Sequence, residues 1–128
     1  MSASALRKFR WSDIPKESVT PVISRQLITG EKAMAGLITL EKDAYVPRHS
    51  HESEQITWVF EGCLRFVIGG EEILVGPGEV LVIPSWLEHE ATALERTVEV
   101  DLFSPIRHDW LDGTDTYFQR GAPGAPRE

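Results

Sequence analysis

Three histidines and a glutamine carry the first chemical signal in this sequence. His49 and His51 are separated by one residue, His51 and Gln55 by three, and His89 lies far downstream behind Pro84-Ser-Trp-Leu-Glu. In an extended strand alternate side chains share a face. Positions 49, 51 and 55 are all odd, so a regular strand would aim them the same way, with His89 closing the group from a neighbouring strand. Three neutral imidazoles and an amide oxygen form a ligand set for one divalent transition ion: nickel, zinc, iron, manganese or cobalt. A neutral Gln in place of an acid leaves the full charge on the ion, which suits Lewis-acid work on a carbonyl or hydroxyl. The bland alternative is a chance His-x-His pair on a surface strand.

A second signal lies in Thr97-Val-Glu-Val-Asp-Leu-Phe-Ser-Pro-Ile-Arg107. Glu99, Asp101 and Phe103 share one face of a strand, and Val98, Val100 and Leu102 share the other. Facing solvent, the polar side would be ordinary. Facing inward, it would set two carboxylates beside a cation, an arrangement suited to proton transfer.

The elements that must position these residues are short strands punctuated by turns. The expected strands are Val19–Ile28, Lys32–Leu40, Gln55–Glu61, Leu64–Ile68, Glu72–Val75, Val80–Ile83, Glu90–Ala93 and Thr97–Phe103. Breaks fall at Gly30, Pro47, Gly62, Gly69-Gly70, Gly76-Pro77-Gly78 and Pro84. A short helix or turn is expected at Ser12–Ile14. No stretch has long helical periodicity, so the fold class is all-β, a sandwich or barrel.

At 128 residues the chain has room for one domain, and its 26% charged and 41% apolar residues are ordinary for a globular protein. A net charge of −7 without a basic cluster argues against nucleic acid as a partner and weakly against anionic membranes. Cys63 is the single cysteine, so no intrachain disulfide forms. Met1–Arg10 contains no apolar stretch of signal-peptide length, and no run reaches membrane-spanning length. A cytoplasmic setting is the expectation.

The histidine spacing resembles the cupin superfamily. Its first motif reads Gly-x5-His-x-His-x3,4-Glu-x6-Gly, and Asp43, His49, His51, Gln55 and Gly62 keep those intervals. Its second reads Gly-x5-Pro-x-Gly-x2-His-x3-Asn, matched by Gly78, Pro84, Trp86, His89 and Ala93. Identities differ at Asp43 and Trp86, where the motifs have Gly, at Gln55 for Glu, and at Ala93 for Asn. The resemblance implies a cupin double-stranded β-helix, a jelly-roll-like barrel, as a single domain over 19–118, after an N-terminal segment 1–18 and before a disordered tail 119–128. It implies a metal ion on His49, His51, Gln55 and His89.

From Tyr45 to Leu111 the chain also looks like the small KdgF-type cupins, which promote ring opening of 4,5-unsaturated uronic acids to a linear keto form. Carried onto this chain, that likeness implies Asp101, with Glu99, as proton carriers and Arg107 on the substrate carboxylate. It implies Phe103 against the sugar ring. Trp86, beside His89, is expected as a loop anchor able to line the pocket mouth. Glu99 is an acid where the family pattern would have an apolar residue, Ile106 replaces a second Pro, and His108 replaces an acid. A salt bridge from Arg107 to Asp109 or Asp112 is the structural alternative. The apolar outer positions Ile56, Trp58, Phe60, Val98, Val100 and Leu102 imply a homodimer. Two other classes stay open: a cupin dioxygenase or lyase, and a non-catalytic module that binds a small molecule.

Overall fold

The computed structural model describes residues 6–121. Its strands are β1 (Glu17–Thr20), β2 (Ile23–Thr29), β3 (Met34–Leu40), β4 (Tyr45–His49), β5 (Glu54–Glu61), β6 (Leu64–Ile68), β7 (Glu71–Val75), β8 (Val80–Ile83), β9 (His89–Ala93) and β10 (Thr97–Ser104). They form two antiparallel sheets, ordered β1-β2-β3-β10-β5-β8 and β4-β9-β6-β7. The all-β jelly-roll-like architecture read from the sequence is the one observed. Between the sheets lie Ile38, Leu40, Val59, Leu64, Phe66 and Ile83, each buried. No helix among the described residues is long and apolar enough to cross a membrane.

Several boundaries differ from expectation. Val19–Ile28 is two paired strands, because Pro21, which has no N–H for a ladder, sits in a turn between β1 and β2. Pro47 does not break the chain but lies inside β4, where the register slips between Val46 and His49. A bulge is one of the few sheet positions that tolerates proline. The short helix or turn expected at Ser12–Ile14 is a single 3-10 turn placed one residue earlier, Trp11–Asp13. Gly62 has φ 89°, and a Cβ there would lie 2.3 Å from the Arg96 carbonyl oxygen, so the β5–β6 turn admits only glycine.

The C-terminal region departs most. A helix α1 (His108–Asp112) ends at Gly113 in the left-handed conformation, and a 3-10 turn covers Thr116–Gly121. The 3-10 turn runs to Gly121 within the segment expected as a tail, and 122–128 lie outside the described residues. Arg25 on β2 fixes this region. Its Nη1 lies 2.5 Å from Asp115 Oδ2, its Nε donates to Glu17 Oε1 at 2.8 Å, and its guanidinium stacks 4.6 Å from the Trp110 ring. Arg25 and Asp115 are both buried, so neither charge has water as an alternative partner.

The inward face of β10 carries Glu99, Asp101 and Phe103, all buried, while Leu102 is exposed. The outer face around Trp58, Phe60, Val80, Val82 and Leu102 is left in solvent, with Trp58 and Phe60 stacked at 4.8 Å.

Candidate metal centre

The two sheets bring the four candidate ligands together, though not by strand parity. His49 ends β4 in the four-stranded sheet, and residues 50–53 cross to the six-stranded sheet, where Gln55 sits on β5. His51 lies on the crossing. Its carbonyl accepts a hydrogen bond from the Trp86 N–H at 2.8 Å, which ties the crossing to the turn before β9. His89 opens β9 directly opposite His49 in the ladder. The ring centroids are 4.3 Å apart for His49 and His89, 5.1 Å for His51 and His89, and 5.5 Å for His49 and His51. One ring nitrogen from each lies within 4.8 Å of the others.

The hydrogen bonds around these rings fit a cation. Each Nδ1 faces a backbone carbonyl: Pro47 for His49 at 2.7 Å, Ser53 for His51 at 2.8 Å, and Leu87 for His89 at 2.8 Å. A carbonyl can only accept, so each Nδ1 holds the proton and each Nε2 keeps a lone pair, as in metal-ligating histidines. His89 Nε2 is buried with no partner among the described residues.

At His51 the fit is tighter still. Its Nε2 lies 3.1 Å from Gln55 Oε1. The Gln55 amide cannot be turned round, because its nitrogen donates to Thr57 Oγ1 at 2.9 Å and Asp101 Oδ1 at 3.3 Å. A neutral His51 thus faces an acceptor on both sides and has one proton to give. A cation between Nε2 and Oε1 removes the conflict.

Burial keeps the imidazoles neutral. It lowers His49 to about 2, with the His89 charge adding to the effect. It lowers His51 to about 4, aided by the Arg107 guanidinium, and also lowers His89. On β10, burial and then the neighbouring Asp101 push Glu99 well above the carboxylate range. Burial raises Asp101 too, opposed by hydrogen bonds from Glu99 and Thr57. Glu99 is the more strongly raised of the two, and Asp101 accepts from Thr57 Oγ1 at 2.6 Å.

A pH dependence follows for the metal-free protein. Folded pKa values of the imidazoles lie below the unfolded value of about 6.5, so unfolding takes up their protons. Glu99 and Asp101, both raised, work the other way and release protons. Below about pH 6, where the unfolded imidazoles are charged, three imidazoles outweigh two acids, so unfolding takes up protons on balance and stability falls as the solution is acidified toward 4. Urea midpoints measured in chelator should decline as the pH is lowered from about 6 to about 4.5. Midpoints that rise would contradict the neutral imidazoles.

A partly open cavity adjoins the ligands. His49, Gln55, His89, Glu99 and Asp101 give it one polar wall, and apolar residues such as Leu64 and Phe66 make the rest. Glu99 Oε1 is buried there without a partner. His51, Arg107, Phe103 and Trp86 are not in the lining. Phe103 is fully buried, with its ring edge-on to His51 at 5.6 Å and to Trp110 at 4.9 Å. Trp86 is 66% exposed and contributes its backbone. Arg107 gives Nε and Nη2 to Asp109 at 3.0 and 2.8 Å, the salt bridge foreseen as its structural alternative, yet its Nη1 is buried and unpartnered.

Sequence reasoning missed Thr57, which orients the Gln55 amide, and Tyr117, which stacks on the His49 ring at 4.1 Å and 16°. Thr57 shares the odd parity of Gln55, a usable signal. Tyr117 had none, because it reaches the site from outside the barrel strands.

The cupin domain family matches residues 36–104. KdgF from Halomonas sp. superposes with a TM-score of 0.75 at 31% identity, covering 80% of this chain and 97% of that one. An RmlC-like cupin from Shewanella frigidimarina NCIMB 400 gives a TM-score of 0.73 at 25% identity, over 77% of this chain and 90% of the other. Among curated sequences, an acireductone dioxygenase from Puccinia graminis f. sp. tritici is 32% identical over 73 residues, 52% of this chain. The match spans 40% of that protein's length.

Proposed function

The chain belongs to the cupin domain family, and from that premise we propose that it is a metal-dependent isomerase that opens the ring of a 4,5-unsaturated uronate. The observation that carries this reading is the shared cavity: His49, His89 and Gln55 line one side of it, with His51 completing the histidine cluster behind them, and the buried pair Glu99 and Asp101 lines the same space. The likeness to KdgF supports the choice of substrate. A divalent ion held by His49, His51, Gln55 and His89 would supply Lewis acidity to a substrate oxygen.

The reaction is an isomerisation. The hemiacetal hydroxyl loses its proton, the bond from C1 to the ring oxygen breaks as the aldehyde forms, and the enol left at C5 becomes a ketone as C4 takes a proton. No water, oxidant or electron is consumed. Asp101 removes and returns the proton, since it is the member of the acid pair that keeps its acceptor sites. Arg107 meets the substrate carboxylate with Nη1 while Asp109 holds its other nitrogens.

The test follows ultraviolet absorbance of the conjugated unsaturated uronate. Metal-loaded protein should bleach it with no dioxygen uptake, and chelator should abolish the loss. Absorbance that stays constant with loaded protein would sink the reading. A dioxygenase is the second reading, favoured by the 73-residue match to acireductone dioxygenase; dioxygen uptake with a candidate substrate would select it. Loaded protein that binds but turns over nothing would point to a binding module.

A further inference from the structure

Tyr117 reaches the cavity from the 3-10 turn Thr116–Gly121, beyond the last strand. Its ring lies nearly parallel to that of His49, 4.1 Å away. Its phenol oxygen accepts two hydrogen bonds, from Trp110 Nε1 at 3.0 Å and Arg107 Nη2 at 3.4 Å. Two donors occupy both lone pairs, so the phenol must use its own proton as a donor in another direction. No described residue accepts that proton. The nearby carboxylate of Asp115 is committed to Arg25. A phenol is neutral at physiological pH and carries its proton.

A second donor stands beside it. Arg107 Nη1 belongs to the guanidinium that touches the phenol, and it too is buried without a partner. A buried N–H and the O–H of a half-buried ring, both lacking an acceptor among the described residues, sit next to a cavity lined by three of the four metal-ligand candidates. In a folded protein such donors are satisfied, and here the acceptor must come from outside the chain.

We propose that Tyr117 is a substrate-positioning residue whose phenol donates to a ligand oxyanion, a carboxylate in chemical class, alongside Arg107 Nη1. The inference rests on the reading of this cavity as the substrate site. It adds a residue that the barrel motifs do not contain and makes the C-terminal turn part of the site.

Tyr117→Phe removes the donor and keeps the ring stacked on His49. The probe is oxalate, a small dianion that needs no sugar pocket, titrated into cobalt-loaded protein and followed by the visible absorption of the metal. Cobalt content and unfolding temperature should match those of the parent protein, while oxalate affinity falls at least about tenfold, the lower end for one hydrogen bond to a charged group. Protein with 3-fluorotyrosine in place of Tyr117, a stronger donor of nearly the same shape, should bind oxalate more tightly. It decides the matter alone if the Phe variant does not fold. Equal affinities across the variants that fold, or a parent protein that does not bind oxalate, would overturn the proposal. The expected oxalate pattern without uronate turnover would uphold Tyr117 and reject the uronate as substrate.

Discussion

His51→Ala should release the metal: affinity for cobalt or nickel should fall by more than about 100-fold, the upper range for losing a mere outer-shell partner, and chelator-sensitive turnover should vanish with it. The reason is the double-acceptor environment of this ring. Ser53 O and Gln55 Oε1 both need positive charge from one neutral imidazole. An ion satisfies Nε2 and Oε1 together, so removing the ring strips two contacts' worth of organisation from the centre and frees the 50–53 crossing that it anchors. Folding should survive, since His51 sits on the 50–53 crossing rather than in a strand and is not part of the apolar cluster between the sheets. Equilibrium dialysis against a metal buffer reads the affinity. An alanine variant that keeps parental affinity would show that the ion, if bound, sits elsewhere.

The ligand identities were legible in the sequence, but the geometry that unites them was not. Odd parity predicts one face of one strand. The chain instead leaves β4 after His49 and joins β5 in the other sheet, and the ligands meet because the sheets face each other. Parity worked where the strand is regular: Glu99, Asp101 and Phe103 on β10 all point inward as read. The motif's glycines tell the same story. Asp43 and Trp86 stand where the family motifs have Gly, and they are the non-glycine residues with positive φ among those described, at 72° and 65°. The backbone path that favours glycine is kept at a cost of order 1 kcal/mol each, so spacing carried information that identity did not.

The C-terminal region was not legible for a different reason. α1 is only five residues long, too short for helical periodicity to register. Its place is set by long-range contacts, above all Arg25 with Asp115, 90 residues apart. Nothing local in Asp115 or Tyr117 marks either as part of a buried network. The consequence reaches the site, because this region delivers Trp110 and Tyr117 to the histidine end of the barrel.

Asp101→Asn should lower turnover by about 100- to 10,000-fold, the range for loss of a positioned acid–base group, with metal content unchanged. Asparagine is nearly isosteric, and its Oδ1 can still accept from Thr57 and Gln55, so the amide that aims Oε1 at the centre stays in place. What is lost is the basic carboxylate. Glu99 cannot take over at neutral pH, because burial holds its proton in place. With Asp101 neutral, Glu99 loses the neighbour that raised it, so any residual activity should climb with pH as Glu99 ionises. That residual slope separates a chemical role from a structural one: a variant crippled by misfolding would lose metal and show no such climb. Parental turnover with metal retained would remove Asp101 from the chemistry and leave the acid pair as a packing feature of β10.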